Sequence, residues 1–141
     1  MRAPIHLWIV GILSLLWNAG GAYDYLMTQL GNAEYLAMLT EPQRALMDGR
    51  PMWFDAAWAF GVWGSIAGSL LLLLRSRFAV TAFGISILGL AASSVWSFGI
   101  AEPSSLEVMG SFAAIFSLAI VVILLALFVY ARRMQARGIL R

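Results

Sequence analysis

The sequence predicts an all-α fold, a four-helix transmembrane bundle, and three observations carry that expectation. Four apolar segments, at about 5–26, 53–74, 78–100 and 106–130, each reach about the 20 residues that cross a ~30 Å hydrocarbon core. Hydrophobic residues make up 62% of the 141-residue chain and charged ones 11%, against roughly 25% charged in a soluble domain. A chain this short has too high a surface-to-volume ratio to hide so much apolar surface from water. The segment cores hold no charge, and in lipid a helix is the structure that satisfies such a run's backbone from within. The whole chain, 1–141, reads as a single membrane domain.

Span one follows a short lead, Met1 to Pro4, that carries Arg2. An arginine, an apolar run and then Ala19-Gly20-Gly21-Ala22 is also the order of a secretory signal peptide. We read the segment as an uncleaved helix. Its far end, Leu15 to Tyr25, mixes an amide, a glycine pair, aromatics and a carboxylate. The loop 27–52 is the one sizeable piece outside the membrane. Asn32 is placed to cap a short helix through Leu39. Thr40 to Gln43 has capping-box spacing, with Pro42 tolerated in the first turn. Gly49 suits a left-handed helix end and Pro51 the start of span two. The apolar side of these turns places them on the membrane surface.

Spans two and three are joined by Arg75-Ser76-Arg77 alone, which makes them a tight antiparallel hairpin. Ala101-Glu102-Pro103 is the next connection, and Ser104 with Glu107 forms a second capping box to begin span four. The tail 131–141 carries four arginines and is expected to rest on anionic lipid. Four spans place both termini on one side. Arg2, Arg75, Arg77, Arg132, Arg133, Arg137 and Arg141 fall there, against Arg44 and Arg50 on the other. Seven against two predicts cytoplasmic termini.

Small residues recur at four-residue spacing, which keeps them on one helix face. Gly61, Ser65 and Gly64, Gly68 mark span two, Gly89 and Ser93 span three, Gly20 and Gly21 span one, and Gly110, Ala114 and Ser117 span four. Such faces let helix backbones approach in lipid. They serve packing within the bundle, or contact with a second copy or a membrane partner protein.

The chemistry on offer is narrow. With no cysteine and one histidine, His6, the chain has neither thiol chemistry nor the ligands of a zinc or bis-histidine haem site. No nucleotide loop or catalytic set is present, so no enzyme, metal or cofactor is expected, and the tail is too short for a nucleic-acid site. Asn18 lies about 20 Å along span one at ~1.5 Å per residue and needs a partner. Ser93 and Ser94 are the candidates on span three. Asp55 suits the first turn of span two; Asp24 is a candidate to pair with Arg44 or Arg50. Trp17, Tyr23, Tyr25, Trp53, Trp58 and Trp96 gather at the outer end as an aromatic belt does, with Trp63 deeper. An alternative arrangement joins Trp17, Asn18, Asp24, Trp58 and Trp96 around an outward pocket, mostly apolar with a few placed polar groups.

Several stretches resemble a family of small bacterial four-span inner-membrane proteins. They are Leu16-Trp17-Asn18, Gly21-Ala22-Tyr23-Asp24-Tyr25, Pro51 with Trp53, Gly61-Val62-Trp63-Gly64, the run Gly68 to Arg75, and Ala79-Val80 with Phe83. The resemblance covers most of the chain and implies the same fold in a bacterial inner membrane. Some members carry the label sugar transporter. Two functions follow from the sequence as a whole. One is a non-enzymatic accessory or structural component of the membrane. The other is an oligomeric transporter or channel for a small neutral solute such as a sugar, since no carboxylate lies mid-span to couple protons.

Overall fold

The computed structural model describes residues 2–101, 104, 107–108 and 110–141, with the backbone alone at Ala113. Among the described residues these α-helices follow in chain order: α1 (Ile5–Gln29), α2 (Ala33–Ala37), α3 (Glu41–Asp48), α4 (Met52–Leu73), α5 (Phe78–Val95) and α6 (Ser111–Ala136). A π-helical turn, Trp96–Ile100, continues α5. There is no strand among the described residues. Four helical segments, α1, α4, α5 with its π turn, and α6, are long and apolar enough to cross a membrane. The protein is a multipass membrane bundle.

Three helix ends differ from expectation. α1 runs on to Gln29, and α6 begins at Ser111 and continues to Ala136. The expected start of span four at Leu106, and Glu102 and Pro103 before it, lie outside the described residues. Ser104 and Glu107 do form their capping box, with both bonds at 3.3 Å. Gly110, at φ +76, then separates that turn from α6, so the box does not begin the span.

The helix ends explain the short connections. Three helices close in the same left-handed motif, in which the second residue past the cap reaches back to the third-last helical carbonyl. Asn32 N–H donates to Met27 O at 3.1 Å, Ser76 N–H to Leu71 O at 2.8 Å, and Ile139 N–H to Met134 O at 3.0 Å. Gly31 and Gly138 supply the positive φ of 66 and 76, but in the hairpin Arg75 takes it at 58. A side chain in that region costs on the order of 1–3 kcal/mol. Gly49, expected to end α3 this way, has φ −85. The Arg50 guanidinium bonds the Met47 carbonyl at 2.7 Å instead, so no left-handed turn is needed. The other loop caps form as spaced: Asn32 accepts from Tyr35 N–H at 2.9 Å, and the Thr40–Gln43 box closes at 3.1 and 3.3 Å.

α4 and α5 pack most closely, antiparallel, through facing small residues. A Cβ on Gly89 would fall 2.5 Å from the Ala57 carbonyl oxygen and 2.6 Å from the Gly61 nitrogen. One on Gly64 would lie 3.1 Å from the Ser86 backbone, and one on Gly68 2.6 Å from the Phe83 ring. α1 lies against α4 in the opposite direction, with Gly11 beneath Leu73, Ser14 on Ser69 and Tyr25 on Trp58. α6 packs on α5. It meets α1 through side-chain contacts near each end: His6 Nδ1 to the Tyr130 hydroxyl at 2.5 Å, and the Trp17 and Phe116 rings at 6.2 Å.

The half of the bundle nearest the termini is solid. Leu7, Leu72, Ala79 and Phe83 are wholly buried there, joined by Leu124, Leu127, Ala131 and Met134. The tail, expected to lie on lipid, is part of this core. Ile139 and Leu140 are buried in it. Arg77 N–H donates to Arg141 O at 3.0 Å, Arg141 N–H to Arg75 O at 2.9 Å, and Arg75 Nε to Ile139 O at 3.2 Å. The turn at Gly138 folds the tail back across the hairpin, which explains how Arg75 is held in its costly conformation.

Candidate functional site: a cavity at the loop end of the bundle

Towards the α2–α3 end the four spans stop filling the space between them. A cavity of about 640 Å³ lies there. From α1 it is lined by Leu16, Trp17, Asn18, Gly20, Gly21 and Asp24, and from α2 by Tyr35. α4 contributes Trp58, Gly61, Val62 and Ser65; α5 gives Ser86, Leu90 and Ser93; α6 closes the wall with Phe116, Ile120, Ile123 and Leu124. The cavity exists because the facing residues are small where helices splay. A Cβ on Gly20 or Gly21 would meet nothing within 4 Å. These two glycines, expected to be packing contacts, are therefore not. Gly110 likewise has open space around it. Gly61, Gly64, Gly68 and Gly89 do sit at close helix approaches, and Ser65 and Ser93 are buried beside them.

Asn18 is anchored on α4 rather than on α5. Its amide nitrogen donates to the Ser65 carbonyl at 3.1 Å and to Ser69 Oγ at 3.0 Å. The Ser65 carbonyl can only accept, so it fixes which end of the amide is nitrogen. Ser69 Oγ lies 2.8 Å from Ser14 Oγ, which bonds the Gly11 carbonyl at 3.1 Å. Because each hydroxyl has one proton, the donors run one way: Asn18 to Ser69 to Ser14 to Gly11. The Asn18 oxygen has no hydrogen-bond partner among the described residues, yet no wholly buried side-chain polar atom goes unpaired there. That oxygen is the face Asn18 presents to the cavity it lines.

The serines on the wall follow the same rule. Ser65 donates to Val62 O at 2.7 Å, Ser86 across to Gly61 O on α4 at 2.5 Å, and Ser93 to Leu90 O at 3.0 Å. Their protons are used on carbonyls, and their lone pairs remain. At the mouth, the Tyr35 hydroxyl donates to Asp24 Oδ1. Burial first, then the hydrogen bond and negative charge of Asp24, hold the Tyr35 phenol above its ordinary value. Neither expected arginine neutralises Asp24. Arg50 pairs with Asp55 at 2.7 Å, and Arg44 donates to the Leu36 carbonyl at 3.0 Å.

Of the five residues expected around an outward pocket, Trp17, Asn18, Asp24 and Trp58 share this cavity. Trp96 does not. It is 6% exposed, packs on Phe54 at a ring distance of 4.6 Å and joins a separate cluster with Leu46. The π turn that begins at Trp96, closed by Ala101 N–H to Trp96 O at 2.8 Å, commits it to α3 and α4. Trp63 is also off the wall, half-exposed and edge-on to Tyr25 at 6.0 Å. Sequence reasoning missed Tyr35, Ser86 and the whole of the α6 wall. Ser86, Leu90 and Ser93 lie at helical spacing and were findable as one face; the α6 wall residues Phe116, Ile120, Ile123 and Leu124 are all apolar and carry no such mark.

No group of three or more histidine, cysteine, aspartate or glutamate residues is gathered to hold a metal among the described residues. Comparison with family models, curated proteins and solved structures finds no match for this chain.

Proposed function

We propose that this chain is a non-enzymatic protein of a bacterial inner membrane, with cytoplasmic termini, that binds a small molecule in the cavity between its four spans. The observation that supports this most is the cavity itself. Its volume of about 640 Å³ falls within the roughly 300–1,000 Å³ of small-molecule sites, and it sets an amide, three serines and a carboxylate among apolar walls. A bundle built only to pack would keep polar groups out of such a space, since they are costly in lipid. A cavity of this kind favours a solute-binding role over a purely structural one. The cavity reaches Asp24 and Tyr35 at the α2–α3 end, whereas the packed core around Phe83 and Leu72 closes it towards the termini. The arginine split supports an outward position for the α2–α3 end.

Native mass spectrometry from a mild detergent tests this reading. The wild-type chain should retain a non-covalent small-molecule adduct, and a Gly20→Trp variant of unchanged helicity, its side chain filling the cavity, should lose it. A bare wild-type mass under conditions that preserve the fold would return the protein to a structural role.

A further inference from the structure

The valences left open on the cavity wall say what kind of molecule fits it. We infer that the cavity takes an amphipathic organic cation, an ammonium head with N–H donors on an apolar tail; the inference rests on the binding role proposed above. Asn18 and the wall serines Ser65, Ser86 and Ser93 have already given their protons to protein acceptors. What Asn18, Ser65 and Ser93 turn to a ligand are lone pairs; Ser86 is wholly buried and holds the wall in place. Trp17 and Trp58 add aromatic rings to the wall, of the kind whose faces attract cations.

Asp24 adds a formal charge at the mouth. It has no basic partner within ion-pair distance among the described residues. Tyr35 donates to one of its oxygens, which orients the carboxylate without neutralising it. The surrounding end of the molecule has the same sign. Asp24, Glu34, Glu41, Asp48, Asp55 and Glu107 face only Arg44 and Arg50, and Arg50 is held by Asp55. Such a field raises the local concentration of cations and repels anions. The rest of the wall, Val62, Leu90, Ile120, Ile123 and Leu124, is suited to a hydrocarbon tail. A sugar's hydroxyls would match the acceptors, Asp24 included, but would leave that apolar surface uncovered and the carboxylate charge uncompensated.

Decylammonium and its uncharged counterpart 1-decanol separate the alternatives, with binding read as thermal shift of the full chain in neutral-lipid nanodiscs at matched mole fraction. The ammonium should bind wild type at least tenfold more tightly than the alcohol. Asp24→Asn should weaken the ammonium about ten- to a hundredfold, the worth of a hydrogen bond to a charged group, and leave the alcohol unaffected. Asp48→Asn, on α3 and off the wall, should change neither. Equal binding of the two probes, abolished by Gly20→Trp, would overturn the cation class and keep the binding role. Ammonium binding that survives both Asp24→Asn and Gly20→Trp would be partition into lipid and would overturn the inference. Binding of neither probe to folded wild type would overturn the inference and count against the binding role as well. Circular dichroism on each variant distinguishes loss of binding from loss of fold.

Discussion

The α4/α5 seam and the cavity wall of α1 use the same residues for opposite ends. In the α4/α5 seam, Gly64, Gly68 and Gly89 are places where helices touch, with no room for a methyl group without displacement. On α1 near the loops, Gly20 and Gly21 face open space. The polar residues divide in the same way. Ser14 and Ser69 close on each other inside the packed region and Ser86 is wholly buried in the seam, whereas Ser65 and Ser93 border a void. Asn18 belongs to both settings, with its nitrogen tied to α4 and its oxygen left to the cavity. In a membrane, then, a small-residue stripe says that something comes close to the helix. Whether that is another helix or a ligand depends on what faces it.

The comparison can be broken most readily at Gly89. Gly89→Ala places a methyl group against the backbone of α4 and should cost about 1–3 kcal/mol or more, the usual range for overpacking, seen as a lowered melting temperature in detergent. An unchanged melt would mean that the seam is loose. Next in size is Asn18→Leu, which removes both hydrogen bonds to α4 and should cost about 0.6–2 kcal/mol, the range for interhelical hydrogen bonds in membranes. Gly20→Ala sharpens the contrast because its sign is reversed. With nothing to clash with, it should stabilise by up to about 0.5–1 kcal/mol through helix propensity, and a loss comparable to that at Gly89 would show the cavity to be filled by protein.

The smallest effect concerns pH. The Tyr35 phenol is raised in the folded state, so its contribution to stability is full below the ordinary tyrosine value near ~10. Above that pH the unfolded chain ionises first, and stability falls as pH rises towards the folded value. Tyr35→Phe should remove this alkaline decline and leave the profile below pH ~10 unchanged. An identical alkaline slope in both proteins would detach Tyr35 from Asp24.

Much of this was legible in the sequence. The spans follow from length and hydropathy, and the Asn32 and Thr40 caps from side-chain spacing, because those are local properties. Four of the five proposed pocket residues were likewise marked by being polar or aromatic at the end of a span. What was illegible is relational. Nothing in Gly20-Gly21 distinguishes it from Gly61 or Gly64 until the neighbouring helix is in place. Trp96 looks like Trp58 until the π turn sends it to Phe54. The tail's arginines drew attention to lipid, while Gly138, Ile139 and Leu140, which fold it back into the core, signal only in combination with the hairpin they meet.

The chain has no native cysteine, so a matched pair of serine-to-cysteine replacements tests the central contrast most directly. Ser93 lines the cavity; Ser69 is wholly buried in the packed chain of hydroxyls. In nanodiscs with a small water-soluble maleimide, Ser93→Cys should label slowly through the cavity while Ser69→Cys stays unreacted until the protein is unfolded. Equal protection of both thiols would show that the loop end is as closed as the terminal end, and the account of an open, ligand-accepting half would be contradicted.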